Sequence, residues 1–110
     1  MQRMLRIATA PLFALAVSTA CARAATPRAY DVRIHNFHFE PATLTVPAGA
    51  QVTWTNQDEE PHIVVSTGNR FPSSPALDTG DHYRATFAKP GTYTYFCTIH
   101  PQMVGTIVVK

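Results

Sequence analysis

The sequence predicts one small all-β domain, a sandwich or barrel of about seven short strands. Three observations carry that reading. Apolar residues alternate with period two in short runs, turn residues separate the runs at near-regular intervals, and no run keeps a helical period for longer than a turn. The chain has 110 residues, room for one domain. Its nine prolines fall mainly between the runs, where a missing amide donor does no harm to a sheet.

Residues 1–24 read as a secretory signal, leaving 25–110 as the domain. Arg3 and Arg6 give a charged start, Ile7 to Ala20 is mostly apolar, and Ala22-Arg23-Ala24 supplies small residues where a signal peptidase cuts. The apolar run is short for a membrane span. The competing readings are a buried N-terminal helix or an uncleaved anchor. Cys21 could also be a lipidated first residue, but Val17-Ser18-Thr19-Ala20 fits a bacterial lipobox poorly.

From Tyr30 the strands follow in order. Asp31 to Phe37 alternates, as does Thr43 to Val46, and Pro47-Ala48-Gly49 is a turn. Gln51 to Thr55 places Val52 and Trp54 on one face. His62 to Val65 is a further candidate. Residues 66–80, with Gly68, Asn69, Pro72, Ser73, Ser74, Pro75 and Gly80, read as a long surface connection. Tyr83 to Phe87, Thr92 to Phe96 and Gly105 to Val109 complete the domain, with Lys89-Pro90-Gly91 as a turn.

Charge narrows the function. The formal net charge is +2. Without Arg3, Arg6 and Arg23, six basic residues face seven acidic ones, and the charge becomes about −1. No Lys/Arg stripe supports nucleic-acid binding. Once the signal is removed, Cys97 is the sole thiol. An unpaired Cys in an exported protein needs a reason: a buried inert thiol, a disulfide to a partner, or a metal ligand.

The segment around Cys97 decides among these. Cys97, His100 and Met103 follow the spacing Cys-x2-His-x2-Met. Along a strand they would point to alternating faces, but on a loop leaving a strand end they can converge, and Pro101 blocks a regular continuation. Thiolate, imidazole and thioether together exclude calcium and magnesium, which want oxygen. Structural zinc rarely takes Met. Copper cycling between Cu(I) and Cu(II) is served by two His, one Cys and a weak axial Met. The second His is expected to be His62, at the start of an apolar run after a polar loop. His35 and His38 are three apart, so on one strand they face opposite sides and cannot share an ion. His82 reads as a solvated residue before a strand. Taken singly, Cys97 and Met103 would be core residues and His100 a surface residue; it is their joint spacing that points to a metal.

The stretch Gly91 to Val109 resembles the C-terminal ligand loop and last strand of the plastocyanin-like cupredoxins. The two-residue gap between His100 and Met103 is similar to amicyanins and pseudoazurins. Val52-Thr53-Trp54-Thr55-Asn56 with Glu60-Pro61-His62 resembles the amicyanin stretch that bears the first His ligand. The resemblance runs from about Tyr30 to Lys110. It implies a Greek-key sandwich of up to eight strands and one type 1 copper held by His62, Cys97, His100 and Met103. It further implies single-electron transport in a bacterial periplasm. A monomer that docks transiently to a redox protein such as a cytochrome c or a periplasmic dehydrogenase is expected, and no catalysis, because four protein ligands leave no vacancy for a substrate. The resemblance also implies that His100 reaches the surface within an apolar ring of Pro101 and Phe71 or Pro72. Many members place Asn directly after the first His to tie the two ligand loops together; Ile63 stands there, and Asn56 is the residue placed to supply a related bond. Copper trafficking or storage with the same ligands is the alternative function. An oxidase or reductase would need a second copper site, and His35, His38 and His82 do not cluster.

Overall fold

The computed structural model describes residues 8–18 and 30–110. Among these residues the fold is the predicted all-β sandwich, built of eight strands in two four-stranded mixed sheets. The strands are β1 (Tyr30–His35), β2 (His38–Glu40), β3 (Thr43–Val46), β4 (Ala50–Asn56), β5 (Val64–Ser66), β6 (His82–Phe87), β7 (Gly91–Cys97) and β8 (Val104–Val109). One sheet has the order β2-β1-β4-β6 and the other β3-β8-β7-β5. β1 runs parallel to β4 and β3 parallel to β8, while the remaining pairs are antiparallel.

The alternation seen in the sequence becomes the two faces of each sheet. Val32 and Ile34 of β1, Val52 and Trp54 of β4, Ala85 and Phe87 of β6, Tyr93 and Tyr95 of β7, and Ile107 and Val109 of β8 are all buried. Their intervening neighbours are exposed or half-buried. The centre of the core is aromatic. Trp54 stacks on Phe71 at 5.9 Å and meets Tyr95 edge-on at 5.3 Å. Full burial of side chains this large contributes on the order of 2–3 kcal/mol each before packing effects are counted.

Two expectations are corrected. The run Asp31 to Phe37 is not one strand. Asn36 and Phe37 take left-handed backbone angles, φ 51° and 59°, and reverse the chain so that His38 to Glu40 pairs back on β1. Asn tolerates that conformation better than Phe, and the alternation of Val32 and Ile34 stops at Asn36, with Phe37 out of phase. Nor is His62 within a strand. It forms an isolated bridge with Leu77, and the ladder to β7 begins at Val64. The long connection after β5 is irregular as expected, yet Phe71, Ser74 and Leu77 within it are buried.

The expected signal, residues 1–24, lies partly outside the described residues. Residues 8–18 form no helix or strand, and Leu12, Phe13, Leu15 and Val17 are 76–97% exposed. This segment adds nothing to the core, which argues against the buried N-terminal helix. Among the described residues, no helix is long and apolar enough to cross a membrane.

Candidate metal centre

The site forms where two ends of one sheet meet a long loop. β7 delivers Cys97 as its last residue, fully buried and directly opposite Val64 of β5. The chain then makes a short loop and returns as β8. That loop is closed by its own backbone: Cys97 N–H donates to Met103 O at 3.1 Å, and Met103 N–H donates to His100 O at 2.9 Å. Pro101 at its tip keeps it from extending as a strand. At the base, Tyr95 faces Gly105 across the ladder. A Cβ on Gly105 would lie 2.2 Å from Tyr95 Cζ, so only glycine lets the ring pass.

His62 arrives from the other side. Its N–H donates to Leu77 O at 3.1 Å and its carbonyl accepts from Leu77 N–H at 2.8 Å. Pro61 has no amide to pair, and the next amide, Ile63 N–H, turns inward to Cys97 Sγ at 3.4 Å. The backbone on either side of His62 is therefore fixed before the imidazole does any work.

The donors converge. Sγ of Cys97 lies 3.8 Å from Nδ1 of His62 and 3.8 Å from Nδ1 of His100, and the three donor atoms lie within 4.8 Å of one another. A single ion with metal–nitrogen and metal–sulfur bonds of about 2.0 and 2.3 Å needs nitrogen-to-sulfur separations of roughly 3.7 Å if trigonal and 3.5 Å if tetrahedral. Each of the two nitrogen-to-sulfur separations matches one shared ion, nearer the trigonal case. Cys97 and His62 are buried, His100 is half-buried, and Met103 is buried within the same closed loop. All four predicted residues come together. One thiolate, two imidazoles and a thioether form the donor set that copper favours.

Sequence reasoning missed two residues. Asp58 is buried, and its Oδ2 lies 2.9 Å from His62 Nε2. The same carboxylate accepts Asn36 N–H at 2.7 Å and Phe37 N–H at 3.0 Å. Burial opposes its ionisation, but the Phe37 amide, the His62 ring and the Asn36 amide outweigh that and hold its carboxyl below the ordinary value. An ionised carboxylate only accepts, so Nε2 of His62 carries the hydrogen, and in the neutral ring Nδ1 keeps a lone pair facing Cys97. Phe37 is the second: its ring packs edge-on against His62 at 5.5 Å and His100 at 4.9 Å. Nothing local announces either one, because Asp58 and the turn it holds are more than 20 residues apart.

Three finer expectations differ from the structure. Asn56 does not bridge the two ligand loops. It donates to Glu60 O and Leu77 O, each at 2.8 Å, and accepts from Asp58 N–H at 2.9 Å; the tie between loops is the Ile63 amide on Cys97 sulfur. Phe71 is not part of the apolar ring around His100, being buried against Trp54. The exposed apolar residues on this side are Phe37, Ile99 and Val104. The third concerns His35 and His38, which lie on two strands and not one. His82 is bonded through Nδ1 to Thr55 Oγ1 at 2.7 Å and stands apart from the centre.

Fold and site together define a class: a two-sheet β-sandwich with Cys, two His and Met gathered at one end. The chain belongs to the cupredoxin-like domain family, whose model matches residues 8–109. Amicyanin-alpha of Methylorubrum extorquens is 37% identical over 84 residues, covering 73% of this chain and 71% of that protein. The chloroplastic plastocyanin of Tetradesmus obliquus is 38% identical over 84 residues, covering 66% of this chain and 58% of its own length. A solved purple cupredoxin from Nitrosopumilus maritimus superposes with a TM-score of 0.70 at 33% identity, over 74% of this chain and 99% of that one.

Proposed function

We propose that the protein is an exported type 1 copper protein that carries single electrons between redox partners, in which His62, Cys97, His100 and Met103 would hold the ion. The observation that carries this is the spacing of 3.8 Å from Cys97 sulfur to each of two imidazole nitrogens. Kinship with amicyanin and plastocyanin supports it. Bound copper supplies one-electron chemistry.

The chain's own residues define the rest. Asp58 holds the tautomer and orientation of His62. The Ile63 amide withdraws charge from Cys97 sulfur, which favours the reduced state. Phe37 shields both imidazoles from water. Four protein donors leave no open position for a substrate, so electron carriage fits better than catalysis. His100 is half-buried and gives the electron an edge through which to pass. Residues 1–24 act as the export signal and direct the protein to the periplasm; the exposed apolar segment of residues 8–18, which packs on nothing, supports its removal. The partner is a redox protein, such as a cytochrome c or a dehydrogenase, met briefly by a monomer through a small interface.

The test is to add one equivalent of Cu(II) to the purified protein and record the visible spectrum. An intense thiolate-to-copper band is expected, lost in Cys97→Ser, with copper retained through repeated reduction and reoxidation. Absence of the band refutes the site. Ready release of copper to an apo-acceptor on reduction would favour trafficking over carriage.

A further inference from the structure

The hairpin that carries Phe37 also brings together two imidazoles that the central site does not use. The turn Asn36-Phe37 joins β1 to β2, and the register sets His35 opposite His38. Directly opposed residues of an antiparallel pair project from the same face, with Cβ atoms about 4.5–5.5 Å apart. Both residues are exposed. Among the described residues, neither takes part in a side-chain hydrogen bond or ion pair, unlike His82 on Thr55.

Their surroundings suit a cation. On the adjoining rung of the same face, Arg33 and Glu40 are paired at 3.3 Å, so the guanidinium that would repel a metal is balanced. The turn between the two histidines is anchored at both residues, since Asp58 accepts both amide hydrogens and Phe37 packs against the buried His62. The backbone that spaces the imidazoles is thus ordered before any ion arrives, which lowers the cost of chelation.

We propose that His35 and His38 form a second, surface metal site, a two-imidazole chelate for a borderline divalent cation such as Ni(II), Zn(II) or Cu(II). Imidazole nitrogen suits these ions, whereas Mg(II) and Ca(II) prefer oxygen. Two protein ligands leave the other positions to water, so the ion is held reversibly, in contrast to the closed centre beneath.

The test is a Ni(II) titration of the purified protein with one equivalent of Cu(I) on the central donors, followed by NMR. Cu(I) is diamagnetic and fills the central site, while Ni(II) broadens the resonances nearest to it. Saturable broadening centred on the His35 and His38 rings is expected, at one ion per chain. Each of His35→Gln and His38→Gln should weaken binding about tenfold or more, and His82→Gln should leave it unchanged. Both histidines are exposed, so the variants should fold, as thermal unfolding can verify. Broadening centred elsewhere, the chain's amino terminus included, overturns the proposal. So does a single variant that binds as tightly as the parent, or an affinity that rises with protein concentration, because the ion would then bridge two copies.

Discussion

His62 and His100 present the same nitrogen to the same sulfur at the same 3.8 Å, yet they are supported in different ways. His62 is fully buried. Leu77 holds its backbone in both directions, Asp58 holds its far nitrogen, and Phe37 covers its ring. His100 is half-buried on a short loop; its carbonyl accepts one amide from Met103, and its ring touches only Phe37 and His62 among the aromatic groups of the described residues. One side of the centre is built into the sandwich and the other is laid over it. An electron carrier needs both: a fixed half that keeps the ion's surroundings alike in two oxidation states, and an accessible half through which charge can leave.

Removing each imidazole in turn breaks the comparison most severely. His62→Gly leaves a hole closed from solvent and removes one of the three donors that face the Asp58 carboxylate. His100→Gly leaves a hole near the surface. Free imidazole added to the copper-loaded variants should therefore restore the visible band in His100→Gly and fail to do so in His62→Gly. The unfolding midpoint of the apo-protein should also fall much further for His62→Gly. Equal rescue of both variants would show that the buried and exposed halves do not differ as described.

This asymmetry was only half legible in the sequence. Cys97, His100 and Met103 could be read because three ligands within seven residues leave a pattern that composition alone does not produce. His62 could be read because a polar loop ends on it and an apolar run begins. The strands were legible wherever one face is buried, since burial forces period two. Asp58 and Phe37 were not legible: their roles depend on a contact between the β1–β2 turn and the loop after β4, which no local pattern encodes. That turn was itself concealed. Phe37 is out of phase with Val32 and Ile34, so the alternation breaks at Asn36, but Phe disfavours the backbone angle that the turn requires and so hides the break. Asp58 reads as one of three successive acidic residues, and only burial separates it from Glu59 and Glu60.

The loop that carries His100 has one rigid point, its base. There the Tyr95 ring crosses Gly105, leaving no room for a methyl group, and Tyr95 is itself enclosed by Trp54 and Phe39. Gly105→Ala should cost about 3 kcal/mol, at the upper end of overpacking penalties because a buried ring cannot swing aside. Most of that cost should vanish in a Tyr95→Leu background, as measured by a double-mutant cycle in urea. A cost that survives the removal of the ring would place the requirement for glycine in the backbone and not in the loop's foundation. Among the described residues the Tyr95 hydroxyl and the Trp54 indole N–H have no hydrogen-bond partner, and burial pushes the Tyr95 phenol up to about 12, with the nearby indole N–H lowering it by less. The pair thus acts as packing beneath the site, not as a polar network.

The smallest change sharpens the comparison from the fixed side. Asp58→Asn keeps the shape of the side chain but replaces a group that only accepts with one that also donates. Three donors now face that position, from Asn36, Phe37 and His62, and an amide can satisfy at most those aligned with its single oxygen. The expected loss is about 2 kcal/mol of apo-protein stability, as for a buried hydrogen bond to a charged group. A general loosening of the fold would do the same, so a second reading is needed. If Asp58 positions His62, the variant should shift the reduction potential and the energy of the thiolate-to-copper band, because the imidazole's basicity and angle both change. Ring resonances of His100 should keep their exchange rate, since its support does not pass through Asp58. A variant that loses stability while its potential and band stay fixed would assign Asp58 to the hairpin alone, and the rigidity of the His62 side would then rest on Leu77.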